Sequence, residues 1–314
     1  MDINKKIAEE LGVKLWQVEA AVGLIDEGNT IPFISRYRKE VTGSLNDEQL
    51  RTLNERLKYL RNLEEKKEQV LTTIEEQGKL TEELKAQILA AETLVVVEDL
   101  YRPYRPKRRT RAIIAREKGL EGLANVISLQ MTDKSLEEEA KVYISAEKGV
   151  ETVKDAIAGA MDIIAENISD EADYRIRIRK MTFDNGRITS VAKDLEAKTV
   201  YEMYYNFEEP VKKIAGHRVL ALNRAEDEKV LTVKVEAPVE DILRYLEKQV
   251  IIRENPHTTP VLQAIVADSY SRLIGPAIER EIRNELTERQ KTVPSAYLEK
   301  IWSSYYYSHQ LQVV

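Results

Sequence analysis

Asn46-Asp47-Glu48-Gln49-Leu50-Arg51-Thr52-Leu53-Asn54-Glu55-Arg56-Leu57-Lys58-Tyr59-Leu60-Arg61-Asn62-Leu63 is the stretch on which the fold turns. Leucine recurs every three or four residues, with Arg, Lys and Glu between, and the stripe runs on through Val70, Leu71 and Ile74. That period belongs to a helix with one buried face, not to a strand. Asn46 with Gln49 three residues later marks a helix start, and Gly78 marks its stop. The spacing predicts a single helix of about 30 residues, long for a compact domain, and with it an elongated body.

Outward from this helix the period stays mostly helical. Residues 81–100 read as a second helix, stopped by Pro103. Ser135-Leu136-Glu137-Glu138 is a capping box for a helix to about Ser145. Residues 148–169 follow, with Val150, Val153, Ile157, Met161, Ile164 and Ile168 on one face, and helical patterns return at 239–250 and 259–288. One β signal interrupts them. Met181-Thr182-Phe183 and Arg187-Ile188-Thr189-Ser190-Val191 flank Asp184-Asn185-Gly186. Asn-Gly accepts positive φ at low cost, so a hairpin turn with positive φ at Gly186 is expected. Leu231-Thr232-Val233-Lys234-Val235 alternates with period two, a candidate third strand. On the N-terminal side Ala8, Gly12 and Val18 stand at helix-turn-helix spacing, with a small residue for close approach and a glycine for the turn. The second helix of that pair carries Lys14, Gln17 and Glu19 and no arginine, which suits packing better than base reading. The fold class is mainly α: an elongated multi-helix body, a helix-turn-helix-like N-terminal hairpin and a small antiparallel β element near residues 181–191. The expected divisions are 1–45, 46–289 and 290–314.

The 314 residues carry a formal net charge of −6, with 43% hydrophobic and 32% charged residues. There is no cysteine, which excludes disulfides, thiolate nucleophiles and cysteine-bound zinc. The longest apolar run, Leu94 to Val97, is far too short to span a membrane, and the first residues lack the apolar core of a signal peptide. A cytoplasmic protein with no membrane partner is the default expectation. Catalysis finds no support. His217, His257 and His309 are scattered, no phosphate-loop, dinucleotide or hydrolase motif occurs, and the carboxylates sit beside Lys and Arg as on solvated helix faces. No catalytic residue, cofactor or metal site is expected.

Against that acidic background, Tyr101-Arg102-Pro103-Tyr104-Arg105-Pro106-Lys107-Arg108-Arg109-Thr110-Arg111 is sharply basic. Eight cations fall between Arg102 and Lys118 against one carboxylate, Glu117, so any nucleic-acid contact is local and is centred here. Prolines three apart favour polyproline II, which would put Arg102, Arg105 and Arg108 on one edge and Tyr101, Tyr104 and Lys107 on another. Such a strip offers cations to phosphates and rings to bases. The same residues also suit a loop fixed by stacking and pairing within its own protein. A second cationic group, Arg36, Arg38 and Lys39, follows Pro32, which suits a helix's first turn. Arg36 and Lys39, three apart, share a face there. Pairing with acidic neighbours is their alternative. Residues 290–314 change character: only Lys291, Glu299 and Lys300 are charged, and Trp302, Tyr305, Tyr306 and Tyr307 crowd together. They read as a docking helix or as a truncated or frame-shifted end.

Asn29-Thr30-Ile31-Pro32-Phe33-Ile34-Ser35-Arg36-Tyr37-Arg38-Lys39-Glu40-Val41-Thr42-Gly43 closely resembles a hallmark of the Tex family of bacterial transcription accessory proteins. Asp99 to Ala112 is similar to a second hallmark. Tyr204 to Phe207 with Ile214 to Arg224 resembles a third, and Glu279 to Glu288 a fourth. The resemblance covers about residues 3–288. It implies the mainly helical N-terminal part of a larger protein that continues into RNase-H-like, helix-hairpin-helix and OB-fold RNA-binding domains, none of which begins here. It favours the frame-shifted reading of the tail, and a short helix rather than a strand at 217–225. The expected function is non-enzymatic transcription accessory activity with nucleic acid as partner, RNA ahead of DNA. Arg102, Arg105, Lys107, Arg108, Arg109 and Arg111 would meet phosphates, with Tyr101 and Tyr104 as stacking rings and Arg36, Arg38 and Lys39 as a second group. The alternative is a scaffold that docks other domains or the transcription machinery. Oligomeric state is left open.

Overall fold

The computed structural model describes residues 2–292, and the expectations for residues 293–314 lie outside them. The chain forms two compact units, the first built on Met1–Glu98 and the second on Asp99–Thr287.

The long helix dominates the first unit. α1 (Ile3–Leu11), α2 (Leu15–Asp26) and α3 (Ile31–Tyr37) lie along α4 (Asp47–Glu76), as does α5 (Glu82–Ala90). α4 starts as its sequence predicts: the Asn46 side chain accepts from Gln49 N at 2.8 Å and the Gln49 side chain accepts from Asn46 N at 3.0 Å. It stops at Gly78, whose φ of +66° closes the helix. Its buried stripe is Leu50, Leu53, Leu57, Leu60, Leu63, Val70 and Ile74, each worth about 1.5–3 kcal/mol of burial. Lys67 sits on the same stripe, 3% exposed. Its ammonium donates to the Leu89 carbonyl at 2.9 Å and pairs with Glu64 at 3.0 Å, so the charge enters the core already satisfied. α1 and α2 meet at Gly12, φ +64°, with Ala8 and Val18 buried between them. Pro32 occupies the first turn of α3.

Residues 81–100 are two helices, not one. α5 ends at Ala90, Ala91 is extended, and α6 (Leu94–Tyr101) begins after Thr93, whose hydroxyl accepts from Val96 N. Local side-chain capping interrupts a pattern whose apolar period alone reads as continuous.

The second unit is wrapped around α10 (Val153–Asp170). Against it pack α7 (Arg111–Glu117), α8 (Glu121–Leu129), α9 (Leu136–Ala140) and α14 (Thr259–Asp268). The expected face of α10 is displaced. Ala156, Ala160, Ile163, Ile164, Ala165 and Ile168 are buried, whereas Val153, Ile157 and Met161 are only partly covered. Small residues let α7 and α8 come close: a Cβ on Gly159 would overlap Leu120 and lie 3.3 Å from Ala115. Ser135 caps α9 as expected, but the helix ends at Ala140 and gives way to a tight 3-10 turn at Lys141–Tyr143.

The β element has three antiparallel strands in the order β2-β1-β3: β1 (Arg187–Ala192), β2 (Asn206–Pro210) and β3 (Leu231–Glu236). The expected hairpin at Asn185-Gly186 is not formed. α11 (Ala172–Asn185) runs through residues 181–185, and Gly186 has φ −75° and ψ 163°, an ordinary extended conformation leading into β1. Helix propagation from Ala172 overrides the Asn-Gly turn signal, and β1 pairs instead with two strands distant in sequence. The segment at 217–225 is helical, within α12 (Gly216–Asp227), as the resemblance implies. α13 (Val239–Val250) follows. α14 passes through a π-helical turn, Ser269–Ile274, into α15 (Gly275–Thr292). The outer edge of β3 is closed by side chains rather than a fourth strand. Val233 N donates to Glu226, Val235 N donates to Glu279 at 2.9 Å, and Arg283 donates to the Val233 carbonyl at 3.3 Å. That leaves the edge poorly suited to accept another chain.

Candidate nucleic-acid interface

The basic segment connects α6 to α7. It is a helical turn at its start, not polyproline II. Arg102 N donates to the Asp99 carbonyl at 3.3 Å, and Tyr104 N and Arg105 N both donate to the Tyr101 carbonyl, at 2.9 and 3.0 Å. Pro103 lies within this turn and does not extend the chain, because α6 carries its own turn past Tyr101. The turn replaces the expected polyproline II conformation over residues 101–105. Thr110 ends the segment as the N-cap of α7, accepting from Ile113 N at 3.1 Å.

Ion pairs clamp the segment at both ends. At the first, Asp99 accepts from Arg175 at 2.6 Å and from Arg179 at 2.7 Å. Glu281 on α15 meets the same two arginines at 2.7 Å each. Arg175 is fully buried. Burial would lower the Arg179 guanidinium, but Asp99 and Glu281 outweigh it and hold it above its ordinary range. Half-buried Arg102 lies beside the cluster. Burial and then the like charge of Arg175 push its pKa down.

At the second end, Lys107 is bonded to Asp170 and lies 3.3 Å from Glu166, both on α10. Arg116 reaches Glu166 at 3.0 Å and Asn167 at 2.7 Å. Burial works to raise the Glu166 carboxyl, yet the bonds from Arg116, Thr110 and Lys107 prevail and hold it below its ordinary 4.5. For Asp170 burial prevails over Lys107, and the carboxyl is raised above 3.8. The two signs are opposite. The Glu166 contribution to stability is fully present above pH 4.5 and is lost as pH falls through the lowered value. The Asp170 contribution is present below pH 3.8 and is lost as pH rises through the raised value. Glu166→Gln is accordingly expected to lower the melting temperature at pH 7 and to differ less from the wild type at pH 3. A difference independent of pH would contradict this assignment.

Between the clamps, Arg105, Arg108, Arg109 and Arg111 are exposed, and Tyr101 and Tyr104 are half-buried beside them. Arg109 pairs with Glu117 at 3.0 Å, but both side chains are more than half exposed. Such a surface pair is worth no more than about 1 kcal/mol and exchanges readily for another anion. Arg36, Arg38 and Lys39 belong to the first unit. α3 ends at Tyr37, so Lys39 lies outside the helix and does not share a face with Arg36. All three are exposed, and the Arg38 guanidinium lies 5.3 Å from the Phe33 ring centroid. In the N-terminal helix pair, the Gln17 side chain accepts from Lys14 N at 3.0 Å and donates to the Gly43 carbonyl at 2.9 Å. The residue best suited to read a base is thus bonded within its own unit. Among the described residues no His, Asp or Glu group is arranged to hold a metal ion, and no helix is long and apolar enough to cross a membrane.

Residues 132–293 match the Tex central region-like family, and residues 1–75 match the Tex-like protein N-terminal domain. The chain belongs to the Tex family. It is 49% identical over 290 residues to "Uncharacterized protein YdcI" of Bacillus subtilis (strain 168), covering 91% of this chain and 40% of that protein. It is 42% identical over 243 residues to "Transcriptional accessory protein Tex" of Neisseria gonorrhoeae, covering 77% and 32%. Human "S1 RNA-binding domain-containing protein 1" is 30% identical over 302 residues, covering 91% and 30%. The chain thus spans less than half the length of the Tex relatives it matches. Within it the basic segment lies between the two matched spans.

The sequence reading missed the Asp99, Arg175, Arg179 and Glu281 cluster. Its signal is Arg175-Ile176-Arg177-Ile178-Arg179, where every second residue is basic. On a helix only 175 and 179, four apart, share a face with Ile178, and those three are the buried ones.

Proposed function

We propose that this Tex-family chain contributes a non-catalytic, nucleic-acid-binding surface to transcription accessory activity, with single-stranded RNA preferred over duplex DNA. The observation that carries the reading is the clamped basic segment. One buried and one partly buried ion-pair cluster hold it, and Arg108 and Arg111, which make no ion pair among the described residues, are exposed beside them. Preorganised cations lose little entropy on meeting phosphates. Tyr101 and Tyr104 beside them suit stacking on unpaired bases. The names of the relatives, a transcriptional accessory protein and an S1 RNA-binding domain-containing protein, agree with this reading.

A scaffold role is the second reading, and one observation favours it: Lys107 and Arg116 are already engaged by Asp170 and Glu166. Binding of single-stranded RNA across a salt series separates the two. Arg108→Ala with Arg111→Ala is expected to reduce the log-log salt slope by about 0.7 for each phosphate no longer neutralised, with melting unchanged. An unchanged slope would favour the scaffold.

A further inference from the structure

α2 buries Val18, Ala21 and Val22, and Trp16, two residues before Val18, stands on the other side of the helix. The core does not use it, and it remains 49% exposed. The indole is nevertheless held in place. Gly43 has φ +61°, and a Cβ there would overlap Trp16 Cη2 and lie 3.0 Å from Cζ2, so the ring rests against bare glycine backbone. The next side chain, Gln17, donates to the Gly43 carbonyl at 2.9 Å and ties the start of α2 to the same turn. An aromatic ring in water, fixed through its neighbours, is a surface ready for a flat partner.

The turn that holds Trp16 also carries the second cationic group. Thr42 N donates to the Arg38 carbonyl at 3.2 Å and Ser44 N to the Lys39 carbonyl at 2.7 Å, so the residues flanking Gly43 are bonded directly to Arg38 and Lys39. Arg36, Arg38 and Lys39 are exposed and make no ion pair among the described residues, although Glu40 is adjacent. Residues 12–20 and 31–44 hold four cations, Lys14 and these three, against two carboxylates, Glu19 and Glu40. α4 adds Asp47 and Glu48 at its start, and Asp47 is taken by Arg51 at 2.6 Å. The surplus of positive charge is small, so the ring rather than the charge is the main source of affinity here. We propose that Trp16 is a stacking platform for an unpaired base of a single-stranded nucleic acid, with Arg38 and Lys39 for the adjoining phosphates. The proposal rests on the nucleic-acid reading above for its ligand, and it uses different residues in the other unit. Every base has a π-face, so the contact tolerates any sequence and, unlike a phosphate contact, releases no counterion.

The chain has two tryptophans, so Trp302→Phe leaves Trp16 as its one indole. In that background, titration with a single-stranded RNA 12-mer is expected to quench tryptophan emission. Fluorescence anisotropy of the labelled RNA, across a salt series, gives the affinity of further variants. Trp16→Leu keeps an apolar contact and removes the flat ring. It is expected to weaken binding about tenfold with the log-log salt slope unchanged, and Trp16→Phe to recover most of that loss. If Trp16→Leu fails to fold, the quenching titration decides. Binding without quenching, or wild-type affinity in a folded Trp16→Leu, overturns the stacking platform and leaves the basic segment standing. Equal losses in Trp16→Leu and Trp16→Phe also overturn it. No binding by the wild type overturns both.

Discussion

Arg175→Met is expected to lower the unfolding free energy of the second unit by about 3–5 kcal/mol. Arg175 is fully buried, and it joins Asp99 of α6 to Glu281 of α15 at 2.6 and 2.7 Å. Removing it leaves Asp99, 3% exposed, with Arg179 as its remaining partner. Burying a carboxylate without full hydrogen bonding is where the cost arises, because the desolvation has no matching attraction. One Arg175 nitrogen, Nη1, already finds no protein acceptor, so the guanidinium is held by the carboxylates alone. For a unit of this size the melting temperature is expected to fall on the order of 10 °C. Replacing Arg175, Arg179, Asp99 and Glu281 together by apolar residues of similar volume is expected to cost less than the single change. A single-variant loss under about 1 kcal/mol, measured by urea unfolding, would contradict this account of the cluster.

Gly186→Val is expected to cost about 3 kcal/mol, and Gly186→Ala about 2. The reason is space, not backbone freedom. At φ −75° any residue fits the backbone. A Cβ there would overlap the Thr182 carbonyl oxygen and lie 3.1 Å from the Glu236 carbonyl oxygen. Neither wall yields easily. The Thr182 carbonyl accepts from Gly186 N at 2.8 Å to end α11, and Val211 N holds the Gly186 carbonyl at 3.0 Å. Gly78 is the contrasting site. Its φ is +66° and nothing would lie within 4 Å of an added Cβ, so Gly78→Ala is expected to cost only the left-handed penalty of about 1–2 kcal/mol. Chemical denaturation of the variants checks the order. Equal costs for Gly78→Ala and Gly186→Val would contradict the packing argument.

The helices were legible where their signals are local. The Asn46 and Gln49 caps, the leucine stripe and Gly78 fix α4 within a few residues, because caps and a 3.6-residue period depend on neighbours in sequence. Strand β3 was legible from its alternation, and β1 from its place after the Asn-Gly turn signal. β2 was not, because Asn206 to Pro210 carries two glutamates and a proline and is ordered by pairing with β1. The hairpin at Asn185-Gly186 failed for the same reason in reverse: a turn signal of two residues competes with a fourteen-residue helix already under way. In the candidate site, the concentration of cations was legible from composition. Their division was not. Lys107 is tied to Asp170, 63 residues away, and Arg116 to Glu166, 50 away, whereas Arg108 and Arg111 are not tied among the described residues. Neither period nor charge count carries that information, since it depends on how α7 packs on α10.

Ultraviolet cross-linking of single-stranded RNA to the wild-type chain, with the adducts located by mass spectrometry, tests the central claim most directly. The account predicts adducts on the peptide that carries Tyr101, Tyr104 and the exposed arginines to Arg111, and their disappearance when Arg108 and Arg111 are replaced by alanine. Adducts confined to other peptides, or none at RNA concentrations that saturate binding, would contradict it.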